Sequence, residues 1–335
     1  MKEDNSISQG SSAEPLIIQI FSSVTDPRSE TSLNYRHPLT TILFITVVCS
    51  LCGSNDWETI VIQANAMKDW LARFVDVSKG IPSPRTFIRV FNSLNPDELN
   101  KVLVRIGKDI GINEEREVVS FDGKTMRGTS NSEKGLRAIH MLNAWSHDQG
   151  ICLGHMKVDD KSNEIPAVPK LMELLDLKGT IITADAMNTQ KNTVSKAIEL
   201  GADYVLPIKE NHPGLFEDID VLFKDAEGKD FRGFDADHFE TVEKGHGRIE
   251  TRKYIALDAA ELPFAADWKD LQTVCKVTRE RTYQGKKSVE MQYYISSCEI
   301  DAKLFEKVVR GHWGIESAPQ VHKERDSCHE LKLCA

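Results

Sequence analysis

The spacing of apolar residues changes near residue 115, and this change limits the folds open to the chain. Before it, apolar residues recur at intervals of three and four, as in "WETIVIQANAMKDWLARF", which is typical of amphipathic helices. In "GIPSPRTFIRVFNSL", Ser83 is suited to cap a helix and Pro84 to begin it. We therefore predict an all-helical domain over residues 15–112, preceded by a disordered tail over residues 1–14.

Beyond this point the pattern favours strands. "REVVSFDG", "LRAIHMLNAWS" and "ICLGHMKV" indicate three consecutive strands, after which predicted helices and strands alternate. Residues 210–297 have an irregular pattern with strand-like pieces, and "DAKLFEKVVRGHWGIES" predicts a closing helix. The sequence thus predicts a mixed sheet covered by helices, an α+β or α/β domain over residues 113–335.

The composition excludes few classes of protein. The formal net charge of -9 argues against a uniformly basic nucleic-acid binder, but local basic patches remain possible because screening confines their field to about 10 Å. The longest apolar run, residues 40–53, is too short to span a membrane. Residues 1–14 lack the apolar stretch of a signal peptide, and seven scattered cysteines fit a reducing compartment. We therefore expect a cytoplasmic protein with no membrane partner.

Three acidic residues are candidates for chemistry. Asp122 and Asp185 each follow an apolar strand, so they would emerge at one edge of the sheet if the strands are parallel neighbours; Glu316 lies on the closing helix. Clustered carboxylates are tolerated when they share hard divalent cations, and two Mg²⁺ ions about 3.5–4 Å apart can activate a nucleophile at a phosphodiester. The alternative is structural, since an aspartate after a strand is often a turn residue or a helix cap.

Five motifs, in this order, carry a resemblance to a known family: "SFDGKTMRGT", "ITADAMNTQK", "ADYVLPIKENHPGLFEDI", "GHGRIETRKY" and "VRGHWGIES". The chain resembles the H-repeat-associated insertion-sequence transposases of bacteria, members of the DDE class with a ribonuclease-H-like core. The resemblance runs from about residue 15 to residue 317. It implies that the helical region is the N-terminal domain associated with this family, and that residues 210–297 form a β-rich insertion.

The resemblance also implies a function for each acid. Asp122 and Asp185 would be the catalytic aspartates and Glu316 the catalytic glutamate, and together they would hold two Mg²⁺ or Mn²⁺ ions. The implied reaction is hydrolysis of a phosphodiester at an element end, which frees a 3′-hydroxyl that then attacks target DNA. The implied partners are double-stranded DNA and a second copy of the chain in a paired-end dimer, with the protein associated with the nucleoid.

Seven basic residues are candidates for DNA contact. They follow the first acid, lie in the glycine-containing "EKGHGRIETRK", or precede the third acid: Lys124, Arg127, Lys244, Arg248, Arg252, Arg310 and His312. Glycines let a backbone approach a phosphate closely, which favours the second group. A solvated hairpin and a packed surface histidine remain the alternatives for the second and third groups. Glu210, Asn211 and His212 either contact DNA or orient a water near Asp185, or they simply form a tight loop.

The final segment, residues 318–335, departs from the family pattern. The family continues "HWGIEN" with an apolar helix, whereas this chain reads "SAPQVHKERDSCHELKLCA", in which Pro319 is placed to end the helix soon after Glu316. We expect a truncated or frameshifted terminus. Two hypotheses follow, an active DNA transposase and a catalytically inactive DNA-binding remnant of one. A third, an unrelated ribonuclease-H-like nuclease, is favoured only if cleavage ignores DNA sequence.

Overall fold

The computed structural model describes residues 15–29, 35–110, 116–126, 138–158, 164–209, 211–245, 247–260 and 262–317, without the side chains of 103, 107–110 and 313–317. The tails predicted over residues 1–14 and 318–335 lie outside the described residues. The chain divides into two compact units between Ile106 and Gly107. Within the described ranges, no helix combines the length and the apolar character that crossing a lipid bilayer requires.

The described part of the chain before residue 111 is helical. Its helices are α1 (Leu16–Phe21), α2 (Leu39–Leu51), α3 (Trp57–Ala66), α4 (Lys68–Leu71), α5 (Pro84–Phe91) and α6 (Pro96–Ile110). As predicted, Pro84 begins α5, and the Ser83 side chain accepts a hydrogen bond from the Thr86 N–H at 3.4 Å. The pattern over residues 57–74 suggests one helix, but the backbone departs from helical geometry at Met67 and divides it into α3 and α4.

Aromatic rings hold the core of this first unit. The Trp57 ring lies 5.5 Å from that of Phe87 and 5.0 Å from that of Phe91, measured between centroids. Trp57 is 5% exposed and Phe87 is fully buried. Burying an aromatic side chain of this kind stabilises a fold by about 1.5–3 kcal/mol, so these contacts fix α3 against α5.

The second unit is built on one mixed sheet of nine strands in the order β3-β2-β1-β4-β5-β9-β8-β7-β6. The strands are β1 (Val118–Met126), β2 (Ile139–Ser146), β3 (Ile151–Val158), β4 (Ile181–Ala184), β5 (Asp203–Ile208), β6 (Ala236–Gly245), β7 (Arg248–Asp258), β8 (Thr273–Tyr283) and β9 (Lys286–Ser296). The helices are α7 (Ala167–Leu174), α8 (Lys191–Glu199), α9 (Pro213–Gly228) and α10 (Ala302–Ser317), with 3-10 turns at Ala186–Asn188 and Ala265–Asp267. The predicted mixed sheet with covering helices is confirmed.

The centre of the sheet is parallel and its flanks are antiparallel. β4 pairs in parallel with β1 on one side and with β5 on the other. All four residues of β4 are buried, as are the first four of β1. Strands buried on both faces are continuous apolar runs, which explains why these segments lack a polar alternation.

The irregular pattern of residues 210–297 indicates strand-like pieces but not the helix that precedes them in the structure. Pro213 begins α9, a helix of 16 residues whose buried positions recur at helical spacing. The strands that follow extend the central sheet. β9 pairs antiparallel with β5, then β8 with β9, β7 with β8, and β6 with β7. We call these strands, β6 to β9, the arm.

Helix α10 packs across one face of the sheet. Phe305 and Val308 are fully buried in a cluster that contains Val118 of β1, Ile181 of β4 and Tyr254 of β7. The helix begins where the Ala302 N–H donates to Asp237 Oδ2 at 2.8 Å. The closing helix therefore lies on the strands that lead to the predicted acids.

Candidate active site

The strand pairing places Asp122 beside Asp185. In the parallel pair of β1 and β4, Phe121 stands opposite Ala184, so the next residue on each strand is an acid. Val118 and Ile181 pack against α10, and each acid comes four residues after one of them. Side chains alternate between the two faces of a strand, so both acids lie on the face that α10 covers. Paired strands lie about 4.8 Å apart, which brings the two aspartates together at the carboxyl edge, as the sequence predicted.

The two carboxylates have different surroundings. Burial raises the pKa of Asp122, and the negative charge of Asp185 adds to this rise, while Lys124, with Nζ 3.3 Å from Oδ2, opposes it. The pKa of Asp185 is lowered, chiefly by the hydrogen bond from His312, whose Nε2 lies 3.3 Å from Oδ1. The Asp122 side chain is 15% exposed and that of Asp185 is 55% exposed. Neighbouring acids whose pKa values are pushed apart are typical of functional sites.

Helix α10 supplies the residue that contacts Asp185. The helix approaches the sheet closely at Gly311, where an added Cβ would lie 3.2 Å from Cγ of His147. His147 is itself fixed, because its Nε2 lies 2.6 Å from Ser120 Oγ. Burial lowers the pKa of His147 to about 4, so it is neutral at physiological pH. The small residue at 311 thus allows His312, the next residue, to reach the carboxyl edge.

Glu316, the predicted third acid, lies on α10 four residues after His312. Positions four apart on a helix lie on one side of it, about one turn from each other. The Glu316 side chain lies outside the described residues, and so does Arg127. Of the predicted site residues, the described structure therefore brings Asp122, Asp185, Lys124 and His312 together.

The loop after Asp185 is held from the neighbouring segment. The Asn211 side-chain amide donates to Ala186 O at 2.8 Å, and His212 Nε2 lies 2.6 Å from Thr189 O. The His212 ring also meets the Trp268 ring edge-on at 5.1 Å. Asn211 and His212 thus brace the backbone that carries Asp185, and Glu210 lies outside the described residues.

The candidate DNA contacts on the arm fall into two groups. Lys244 and Arg248 are exposed at the turn between β6 and β7. Arg252 pairs with Glu243 at 3.2 Å and also with Glu250. Arg310 of α10 pairs with the same Glu243 at 2.5 Å. Arg252 and Arg310 therefore take part in an ion-pair network that links α10 to the arm.

Three further candidates lie behind this edge, and the sequence analysis did not identify them. Glu164, His140 and Asn188 form a hydrogen-bonded group on the opposite face of β1. They come from separate parts of the chain: Asn188 lies within the motif "ITADAMNTQK", whereas His140 and Glu164 lie in none of the five motifs. In the sequence, the acid at 164 stands shortly before α7, which predicts a helix N-terminus but does not predict its contacts with His140 and Asn188.

The donor set at the edge suits a divalent cation. Among residues with described side chains, which exclude Glu316, no group of three or more histidine, cysteine or acidic residues is arranged to hold a metal ion. Asp122 and Asp185 offer carboxylate oxygens, the ligands that Mg²⁺ and Mn²⁺ prefer. Burial chiefly raises the pKa of Asp122 and the charge of Asp185 adds to the rise; a bound cation would relieve the repulsion between the two carboxylates.

Comparison with known families decides the class of protein. The model of the transposase DDE domain matches residues 113–333, and the DDE_Tnp_1-associated model matches residues 18–106. The chain belongs to the DDE transposase family. The predicted family is thereby confirmed. DDE transposase domains are ribonuclease-H-like and generally use divalent metals, and the sheet flanked by helices agrees with such a fold.

Relatives of this DDE transposase carry consistent names. A candidate transposase of Escherichia coli O157:H7, YncI, is 35% identical over 305 residues, which cover 90% of this chain and 77% of that protein. The H repeat-associated candidate transposase YhhI of Escherichia coli K12 is 32% identical over 288 residues, 84% of this chain and 75% of its own length. The related YbfD of the same strain is 32% identical over 226 residues, 68% of this chain and 88% of its own.

A solved structure gives a weaker match. The crystal structure of an endonuclease V from Bacillus subtilis covers 66% of this chain and 84% of its own at 11% identity and a TM-score of 0.25, which carries no argument. The DDE match continues to residue 333, through most of the segment in which we expected a departure from the family.

Proposed function

We propose that this chain is a metal-dependent DNA transposase that hydrolyses phosphodiesters at the ends of an insertion element and joins the freed ends to target DNA. The observation that carries the proposal is the pairing of β1 with β4, which puts Asp122 and Asp185 side by side at the carboxyl edge. Family membership supports the class of reaction. The ribonuclease-H-like core would be formed by β1 to β5 with α7, α8 and α10.

Asp122, Asp185 and Glu316 would hold the metal. Two Mg²⁺ or Mn²⁺ ions supply Lewis acidity and charge neutralisation at the phosphorus. Lys124 offsets part of the negative charge of Asp122, and the hydrogen bond from His312 fixes one oxygen of Asp185. Fixing the carboxylates in advance matters, because small errors in the placement of reacting groups cost large factors in rate.

The proposed reaction has two displacements. In the first, water attacks the phosphorus at the element end, the P–O3′ bond breaks, and the proton goes to the leaving 3′-oxygen. In the second, that 3′-hydroxyl attacks a target phosphodiester, and its proton goes to the 3′-oxygen that leaves. The exposed carboxylate of Asp185 is accessible to solvent and is placed to orient the attacking group.

The arm is proposed to guide DNA to the edge. Lys244 and Arg248 are exposed at its tip and suited to contact phosphates. Arg252 and Arg310 would act mainly through Glu243, by keeping α10 in place on the arm. Arg127, Lys124 and His312 would contact DNA close to the scissile bond. A paired-end dimer is proposed from the family.

Nicking assays test the proposal. The full chain is incubated with DNA that carries the element ends, with Mg²⁺ or Mn²⁺, and strand breaks are mapped. We expect nicking at the element end by the unaltered chain and none by Asp122→Asn or Asp185→Asn, although both variants bind the DNA. Asp225→Asn is the matched control, because this exposed aspartate pairs with Lys229 one turn away at the end of α9.

Three results would contradict the proposal. Nicking by Asp185→Asn at the normal rate would show that the proposed active site is wrong. Specific binding without nicking by the unaltered chain would identify an inactive remnant. Nicking that ignores the element sequence would identify an unrelated nuclease.

A further inference from the structure

The carboxylate of Glu164 joins three segments of the chain behind the proposed active site. Its Oε1 lies 2.5 Å from His140 Nε2 on β2, and its Oε2 accepts a hydrogen bond from the Asn188 side-chain amide at 3.1 Å. The Glu164 side chain is 12% exposed. A hydrogen bond to a largely buried carboxylate is stronger than one between neutral groups, so this junction is firm.

The same carboxylate lies against the backbone that follows Asp122. A Cβ built on Gly123 would be 2.1 Å from Glu164 Oε1. Glycine is needed here for space, because any side chain would overlap the carboxylate. Gly123 is adjacent to Asp122, and successive strand residues face opposite ways. Glu164 therefore supports β1 from the face opposite to the one that carries Asp122 and α10.

The second contact reaches the backbone of Asp185. Asn188 is fully buried in the 3-10 turn, and its N–H donates to Asp185 O at 2.8 Å. Glu164 thus holds the turn that carries one acid while it touches the strand that carries the other. β1 and β4 pair only as far as Phe121 and Ala184, so the acids stand where the ladder between these strands stops.

The histidine closes the network on β1. His140 Nδ1 lies 3.0 Å from Thr125 Oγ1, and Thr125 is two residues after Gly123. Because a carboxylate only accepts, His140 Nε2 donates to Glu164, and Nδ1 lies within hydrogen-bond distance of the threonine hydroxyl. Both ring nitrogens therefore have partners, and the oxygens of Glu164 are occupied by His140 and Asn188.

We propose that Glu164 is a positioning residue that sets the spacing of Asp122 and Asp185 for metal binding. This inference rests on the proposed function. Glu164 does not itself face the acids, so its effect passes through Gly123 and Asn188. Outer residues that orient metal ligands matter strongly: their loss typically weakens metal affinity or activity by about 10- to 100-fold.

Mn²⁺ binding to the full chain, measured by calorimetry without DNA, tests the inference apart from activity. We expect Glu164→Ala to weaken Mn²⁺ binding by about 10- to 100-fold. Glu164→Gln should keep most of the affinity, because its amide oxygen can accept from His140 and its NH2 can donate to Asn188 Oδ1 once the Asn188 amide has turned over; that oxygen is buried and has no hydrogen-bond partner among the described residues. Thermal unfolding checks that each variant folds.

A second variant separates positioning from general stability. Asn188→Ala should weaken Mn²⁺ binding like Glu164→Ala, and the double variant should be no weaker than either single one, because both remove one link. Glu173→Ala is the matched control, since this exposed glutamate of α7 pairs with Lys196.

The outcomes are distinguishable. Unchanged Mn²⁺ affinity in a folded Glu164→Ala or Asn188→Ala chain overturns the inference and leaves the proposed function intact. Additive losses in the double variant overturn it as well, because two independent effects would then be at work. An unaltered chain that binds no Mn²⁺ overturns the proposed function and this inference together.

Discussion

Substituting Gly123 with alanine tests the packing behind the acids directly. The new methyl group would lie 2.1 Å from Glu164 Oε1, whereas non-bonded heavy atoms are comfortable at about 3.5 Å. The carboxylate would have to move by more than about 1 Å. Such a movement breaks its hydrogen bonds with His140 and Asn188, since these are already 2.5 and 3.1 Å long.

The magnitude follows from these two bonds. Hydrogen bonds to a charged group contribute about 1.5–3 kcal/mol each, so losing both costs about 3–6 kcal/mol. Replacing a strand glycine with alanine returns roughly 0.5–1 kcal/mol, because the unfolded chain is less free. We expect a net loss of about 3 kcal/mol in the free energy of unfolding, a decrease of about 6–12 °C in Tm for a unit of this size.

Chemical and thermal unfolding of Gly123→Ala, Glu164→Ala and the double variant would measure this. If the clash is with the carboxylate, Gly123→Ala costs nothing once Glu164 is alanine, so the double variant is about as stable as Glu164→Ala. The reasoning is refuted if Gly123→Ala alone is as stable as the unaltered chain, or if its cost is the same in both backgrounds.

Three further predictions concern pH, DNA binding and the core. The pKa of His147 falls from 6.5 to about 4 on folding, so the unfolded chain binds more protons between these pH values. The stability that His147 contributes is therefore complete above about pH 6.5 and is lost as the pH falls towards 4. His147→Gln should make this loss shallower in unfolding experiments. Replacing Lys244 and Arg248 together with alanine should weaken DNA binding and reduce the slope of log K against log salt by about 2. Phe305→Ala, at a fully buried site on α10, should destabilise the protein by about 3–5 kcal/mol in urea unfolding.

Controls make these results specific. Lys303→Ala removes an exposed charge near the start of α10 and should leave the salt slope unchanged. Phe264→Ala removes a ring that is 46% exposed and should cost far less than the change at Phe305. An unaltered pH profile in His147→Gln would show that other groups cause the acid sensitivity.

Local patterns were enough to predict much of the fold. Buried parallel strands are apolar runs, and α5 is marked by its cap at Ser83, so these elements are visible in short windows of sequence. The adjacency of Asp122 and Asp185 needed one more assumption, that β1 and β4 are parallel neighbours, which the register bears out. The roles of these acids in catalysis stay predictions.

Other features depend on contacts between distant residues, which a sequence does not display. The union of β9 with β5 joins segments about 90 residues apart, so the arm could not be assigned to the central sheet in advance. The same is true of Glu164, which meets His140 and Asn188 only after folding. Arg252 was predicted to contact DNA from the basic residues around it in "EKGHGRIETRK"; Glu243 begins the same stretch, but its ion pair with Arg252 forms only when β6 pairs with β7.

The ladder between β5 and β9 fixes how far the arm extends beyond the central sheet. Its pairs, from Val205 with Ser296 to Ile208 with Tyr293, would have to break before the arm could swing. Beyond the last pair, β8 continues from Lys276 to Tyr283, roughly 23 Å at about 3.3 Å per residue. That length equals about seven base pairs of duplex at 3.4 Å each. If DNA lies along the arm, strand length sets the distance between the DNA contacts at its tip and the site of cleavage.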